Sequence, residues 1–106
     1  METIRVVLCT FPTVEAARQI GTLLVEKQLA ACVNLVPAIE SIYRWQGKLE
    51  TAAETLAIFK TSAAAYPDFE RKLNELHPYD LPEIIAIAPE AVAATYAAWV
   101  LSETVP

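Results

Sequence analysis

His77 is the only histidine in this chain of 106 residues, and it stands beside a proline-rich turn with Asp80 and Glu83 a few positions on. A neutral imidazole flanked by carboxylates is a donor set suited to copper or zinc. The competing reading is a ring hydrogen-bonded to a helix end or to a neighbouring subunit. Cys9 and Cys32, the two cysteines, add soft sulfur that suits Cu(I). Against that stands their simpler role as small buried hydrophobes in a reducing compartment. Their spacing matches neither a disulfide framework nor a zinc motif. No Ser-His-Asp arrangement is visible, so no catalytic residue is assigned. Gly, present only 2 times, is too scarce for a phosphate-cradling loop, and no organic cofactor is expected.

A second group combines aromatic and charged residues. Tyr43 and Trp45 precede a Gln46-Gly47 turn, where they serve as subunit-contact anchors or line a cleft between subunits. Glu50, Glu54 and Lys60 follow that turn. They read either as cross-strand ion pairs on a wet face or, converging with Tyr79 and Glu83, as an inter-subunit pocket for a small ligand or metal.

These residues need a frame to hold them. Residues 3–10 (TIRVVLCT) are short and β-branched, as a central strand requires. Thr13 can cap a helix running from Val14 to about Gln28, with apolar Ala17, Ile20 and Leu24 at helical spacing and Glu15 in the first turn. Gly21 inside it points to close approach to a sheet. Residues 31–45 alternate, placing Val33, Leu35, Ile39 and Tyr43 on one face. Pro37 marks an edge or a bend. After the turn a second arm, residues 48–61, changes phase between Leu49 and Leu56, which predicts a β-bulge within residues 51–54. Ser62 can cap a second helix with Phe69, Leu73 and Leu76 as its buried stripe, ended by Pro78. Residues 84–88 (IIAIA) form a short strand, and residues 92–103 a last helix.

The order is β-α-β-β-α-β plus a C-terminal helix: an α+β, ferredoxin-like split βαβ domain over residues 1–106, its antiparallel sheet covered by helices on one side. Each hairpin arm of about 14 residues would reach about 45 Å. A domain of this length has a radius of gyration near ~13 Å and a diameter of roughly 35 Å. The hairpin therefore bends or protrudes, and its unpaired edges need covering. Val7 and Cys9, opposite in phase to Ile4, Val6 and Leu8, are expected on the helix-free side and make it apolar as well.

Composition agrees with that expectation. Hydrophobic residues make up 55% and charged ones 20%, with a net charge of −5. The chain folds rather than staying disordered, and its acidity argues against nucleic-acid partners. So little charge fits a homo-oligomer better than a lone subunit. No apolar stretch is long enough to span a membrane. Met1-Glu2-Thr3 runs into the first strand without leader features, so a cytoplasmic location is expected.

Several segments resemble the divalent-cation tolerance protein family, CutA. They are Leu29-Ala-Ala-Cys-Val-Asn-Leu-Val-Pro37, Ser41-Ile-Tyr-Arg-Trp-Gln-Gly-Lys48 with Glu50 and Glu54, Lys60-Thr61, and His77-Pro-Tyr-Asp-Leu-Pro-Glu-Ile84. Leu8-Cys-Thr10 and Tyr96-Ala-Ala-Trp99 extend the likeness over nearly the whole chain. The Trp-x-Gly-Lys turn and the His-Pro-Tyr segment are its specific parts. The resemblance implies a tight homotrimer built through long hairpins, a cytoplasmic location, no catalytic reaction and a role in tolerating copper (Cu2+) and other divalent metals. Asp80 stands where the family more often has Glu, and residues 89–95 lack the Gly common before the last helix. A second resemblance, to the PII signalling proteins of the same architecture, would imply a nucleotide or small anion held between subunits.

Overall fold

The β-branched run after Thr3 becomes β1 (Ile4–Phe11), which lies inside a four-stranded sheet of order β2-β3-β1-β4. The other elements are α1 (Val14–Glu26), β2 (Cys32–Trp45), β3 (Lys48–Ser62), α2 (Tyr66–Leu76), β4 (Ile85–Ile87) and α3 (Ala94–Ser102). All strand pairs are antiparallel, so the ferredoxin-like order read from the sequence holds. The structure is a computed structural model that describes residues 3–105; Met1 and Glu2, read as leading straight into β1, lie outside them.

Local chemistry starts and stops these elements. The Thr13 hydroxyl accepts the Ala16 N–H at 3.1 Å, capping α1. Within α1 a Cβ on Gly21 would sit 3.1 Å from Val33 Cγ1, so glycine lets helix and β2 approach closely. Ser62 does not cap α2: its hydroxyl accepts from Ala65 N–H at 3.1 Å in the preceding turn, and α2 begins after Ala65 with a proline in its first turn. Gln46 (φ 53) and Gly47 (φ 80) are both left-handed, the turn that suits a two-residue hairpin.

Two expectations about strand phase are corrected. The bulge is on β2, not within residues 51–54 of β3. Between Val36 and Ile39, β2 carries one residue more than its partner, and Ala38 there takes φ 62. Pro37 has no N–H for a ladder bond, so the irregularity falls beside it on this edge strand. Val33 and Leu35 consequently pair with Phe59 and Ala57 on one side of the sheet. Ile39 and Tyr43, opposite Glu54 and Glu50, stand on the other, so the four do not share a face. β3 itself alternates without interruption; Leu49 and Leu56 differ in face because the strand is apolar on both sides.

The second correction concerns β1. Val7 and Cys9 face α1 and α2 and are fully buried, together with Phe11, Ala17, Leu24, Phe59, Phe69 and Leu73. Phe59 and Phe69 meet edge to face at 5.0 Å. The side without those two helices carries Val6, Leu8, Leu56 and Ile58, with Ile85 and Ile87 of β4 in register beside β1. α3 crosses one end of that side, where Val100 joins Ile4 and Ala31. The rest stays open. Beyond the body the hairpin protrudes, and the molecule measures 44 × 27 × 22 Å.

Candidate functional site

A proline fixes how the chain leaves α2. Pro78 disfavours helical backbone at the residue before it, so His77 ends the helix in extended conformation (φ −70, ψ 136). That turns its ring under the sheet end, where it stacks on Phe11 at a centroid distance of 4.6 Å. Nε2–H donates to the Thr10 carbonyl at 2.8 Å, and Nδ1 accepts the Tyr79 N–H at 3.1 Å. A backbone N–H can only donate, so Nδ1 is unprotonated and the ring is neutral. Burial holds its pKa below the usual value, opposed by the Thr10 carbonyl and Glu54. Both ring nitrogens are engaged, but by β1 and the following loop rather than by the helix end or neighbouring subunit expected.

The histidine thereby positions Tyr79. The Tyr79 hydroxyl donates to Glu54 Oε2 at 2.6 Å, tying the loop to β3. Burial first, then this bond, raises the tyrosine pKa. Around the pair opens a hollow of about 550 Å³, lined by Thr10, Tyr43, Trp45, Glu54, Pro78, Tyr79, Asp80, Leu81 and Glu83. Of the residues singled out from the sequence, six converge here: Tyr43, Trp45, Glu54, Tyr79, Asp80 and Glu83. The bulge at Pro37 is what permits it, because it turns Tyr43 onto the face of Glu54.

The remaining candidates lie elsewhere. Glu50 pairs across from Tyr43, farther out on the hairpin. Lys60 bonds to the Asn34 side chain, and Glu54 to Tyr79. Among the described residues the ion pairs are Asp68–Arg71 and Lys72–Glu75 within α2, so the cross-strand pairs expected of Glu50, Glu54 and Lys60 do not form. Cys9 is in the core, its thiol pushed up to about 12 by burial, then by Glu83 and Glu54. Cys32 is on the opposite face, with Sγ 3.4 Å from the Tyr96 hydroxyl. β3 separates their strands.

No three His, Cys, Asp or Glu side chains converge among the described residues. Sequence reasoning missed Thr10, Pro78 and Leu81 as lining residues. Leu81 carried a signal: a large apolar residue in a polar, proline-braced loop, 75% exposed in the structure, has no core role.

Comparison with known proteins bears on this geometry. The family model of the CutA1 divalent ion tolerance protein matches residues 5–103. A Thermus thermophilus relative, the divalent-cation tolerance protein CutA, is 44% identical over 99 residues, covering 93% of this chain and 96% of its own. Its solved structure superposes with a TM-score of 0.92, covering 95% of this chain and 98% of that one. The structure of divalent ion tolerance protein CutA1 from Ehrlichia chaffeensis gives 0.94 at 33% identity, covering 100% and 99%. Mouse Protein CutA is 42% identical over 91 residues, which is 86% of this chain but about half, 51%, of the mouse protein. No described helix is long and apolar enough to cross a membrane.

Proposed function

The chain belongs to the CutA1 divalent ion tolerance family, and on that premise we propose that it works as a non-enzymatic homotrimer in the cytoplasm, contributing to tolerance of copper and other divalent metals. The observation that carries the assembly is the position of its exposed apolar residues. Ile42 is 65% and Leu49 73% exposed on the hairpin, and Ile85 and Ile87 are 50% and 44% exposed on the open sheet side. Residues of this size contribute roughly 1.5–3 kcal/mol each when fully buried. Patches of this kind mark interaction surfaces.

For Cu2+ as cargo, the donors of one chain are insufficient: His77 has both nitrogens engaged and Cys9 is sealed in the core. The copper contact therefore belongs to clefts between copies, where the exposed carboxylates Asp80 and Glu83 remain available. Light scattering tests the assembly: a mass of three times 11.6 kDa is expected, and a folded single subunit at micromolar concentration refutes it. Calorimetric titration with Cu2+ tests the metal role. Heat that diminishes in Asp80→Asn/Glu83→Gln supports it, while negligible heat with the intact protein removes its direct basis.

The hollow favours a second reading, a trimer that senses a small molecule in its clefts. Its volume lies within the range of ordinary ligand sites. Three carboxylates and no lysine or arginine line it, which opposes the nucleotide or anion expected of a PII-like protein. A thermal shift with ATP but none with Cu2+ would reverse the order of the two readings.

A further inference from the structure

The hollow beside Tyr79 joins the two carboxylates proposed for copper to aromatic walls and to Glu54, which metal tolerance leaves unused. Its walls carry Tyr43, Trp45 and Tyr79, while Glu54, Asp80 and Glu83 supply the charge. Aromatic faces attract cations, and a carboxylate accepts hydrogen bonds from an ammonium. The three acids do not converge as a metal-holding group. They also belong to separate elements: Glu54 to β3, Asp80 and Glu83 to the loop after α2. Tyr43, Trp45 and Leu81 contribute apolar surface to the same hollow. Glu54 Oε2 is taken by the Tyr79 hydroxyl, and its other oxygen makes no hydrogen bond among the described residues. Separated negative charges with aromatic and aliphatic surface are complementary to an organic cation whose ammonium groups are spaced by methylenes.

We propose that this hollow binds an aliphatic polyamine, with its methylenes against Trp45 and Tyr43 and its ammonium groups at Glu54 and at Asp80 or Glu83. The inference rests on the ligand-cleft reading of the hollow and names the ligand class. The residues named here all line the hollow within one chain.

Titration of the full-length protein with spermidine in low-salt buffer at pH 7.5 tests it. Saturable binding is expected at one ligand per chain, weakened about tenfold or more by Asp80→Asn/Glu83→Gln and by Trp45→Leu. Asp80 and Glu83 are exposed, so the double variant keeps the fold. Glu26→Gln/Glu90→Gln removes the same charge at the last residue of α1 and beside Ile4, at the end of β1 away from Thr10, and is expected to leave the affinity unchanged. Equal weakening by that control, equal binding by Trp45→Leu, or choline binding as tightly as spermidine overturns the proposal. If spermidine fails to bind but ATP shifts the melting temperature in a Trp45-dependent way, the polyamine assignment falls and the ligand cleft stands. Silence with both removes the cleft reading as well.

Discussion

The two sides of the sheet are built from similar residues and end in different surroundings. Toward α1 and α2, Val7, Cys9, Phe11, Ala57 and Phe59 are all 0% exposed. On the reverse, Val6, Leu8, Leu56 and Ile58 remain half-buried, and the apolar surface continues through Ile85 and Ile87. α3 covers only one end of it. The contrast teaches that an apolar strand face does not reveal what it packs against. One side is completed by the chain's own helices, and the other stays largely open, with Ile85 50% and Ile87 44% exposed.

Substitutions at each level can break or sharpen this contrast. The largest expected effect is in the closed side: Phe59→Ala should cost about 3–5 kcal/mol, measured as a lowered urea midpoint. A loss below about 1 kcal/mol would mean that the Phe59–Phe69 contact is replaceable. Next, Gly21→Ile forces a branched side chain against Val33, whose Cγ1 stands only 3.1 Å from where the new Cβ would lie. About 1–3 kcal/mol of destabilisation is expected in the same assay.

Acid should act through His77. Its folded pKa lies below the usual 6.5, so between those values the unfolded chain binds more protons. Stability is therefore full above about 6.5 and is lost as pH falls below it. Urea midpoints at pH 7.5 and 5.5 should differ for the native protein, and His77→Gln should reduce that difference. The smallest effect on the chain's own fold belongs to the open region. Leu49→Asp at a 73% exposed site should change subunit stability by no more than about 0.5 kcal/mol while reducing the assembled mass in light scattering. An unchanged mass would exclude the hairpin from the interface.

How far the site was legible follows the range of the interactions that build it. The Thr13 cap, the Gln46-Gly47 turn and the Gly21 approach depend on neighbours in sequence or on one missing side chain, and each was readable. The loop braced by Pro78 and Pro82 was also readable as a stiff segment. Its contact with β3 was not, because Tyr79 and Glu54 are 25 positions apart and meet only once the sheet exists. The histidine shows the same limit: residue type suggested a ligand, and its stacking on Phe11 and its bond to the Thr10 carbonyl join residues more than 60 positions apart.

Sequence alone determined the order of elements, the antiparallel hairpin and the excess of apolar over charged residues, since periodicity, turn chemistry and composition are local properties. Which strand face met the helices was decided by the tertiary structure. Val7 and Val6 are equally apolar, and nothing in their types distinguishes core from open face. The site of the bulge was decided there too. A one-residue slip can be written into either arm of a hairpin, and pairing places it beside Pro37, where no ladder hydrogen bond is lost. That single residue carries Tyr43 to the side of Glu54 and makes the hollow possible.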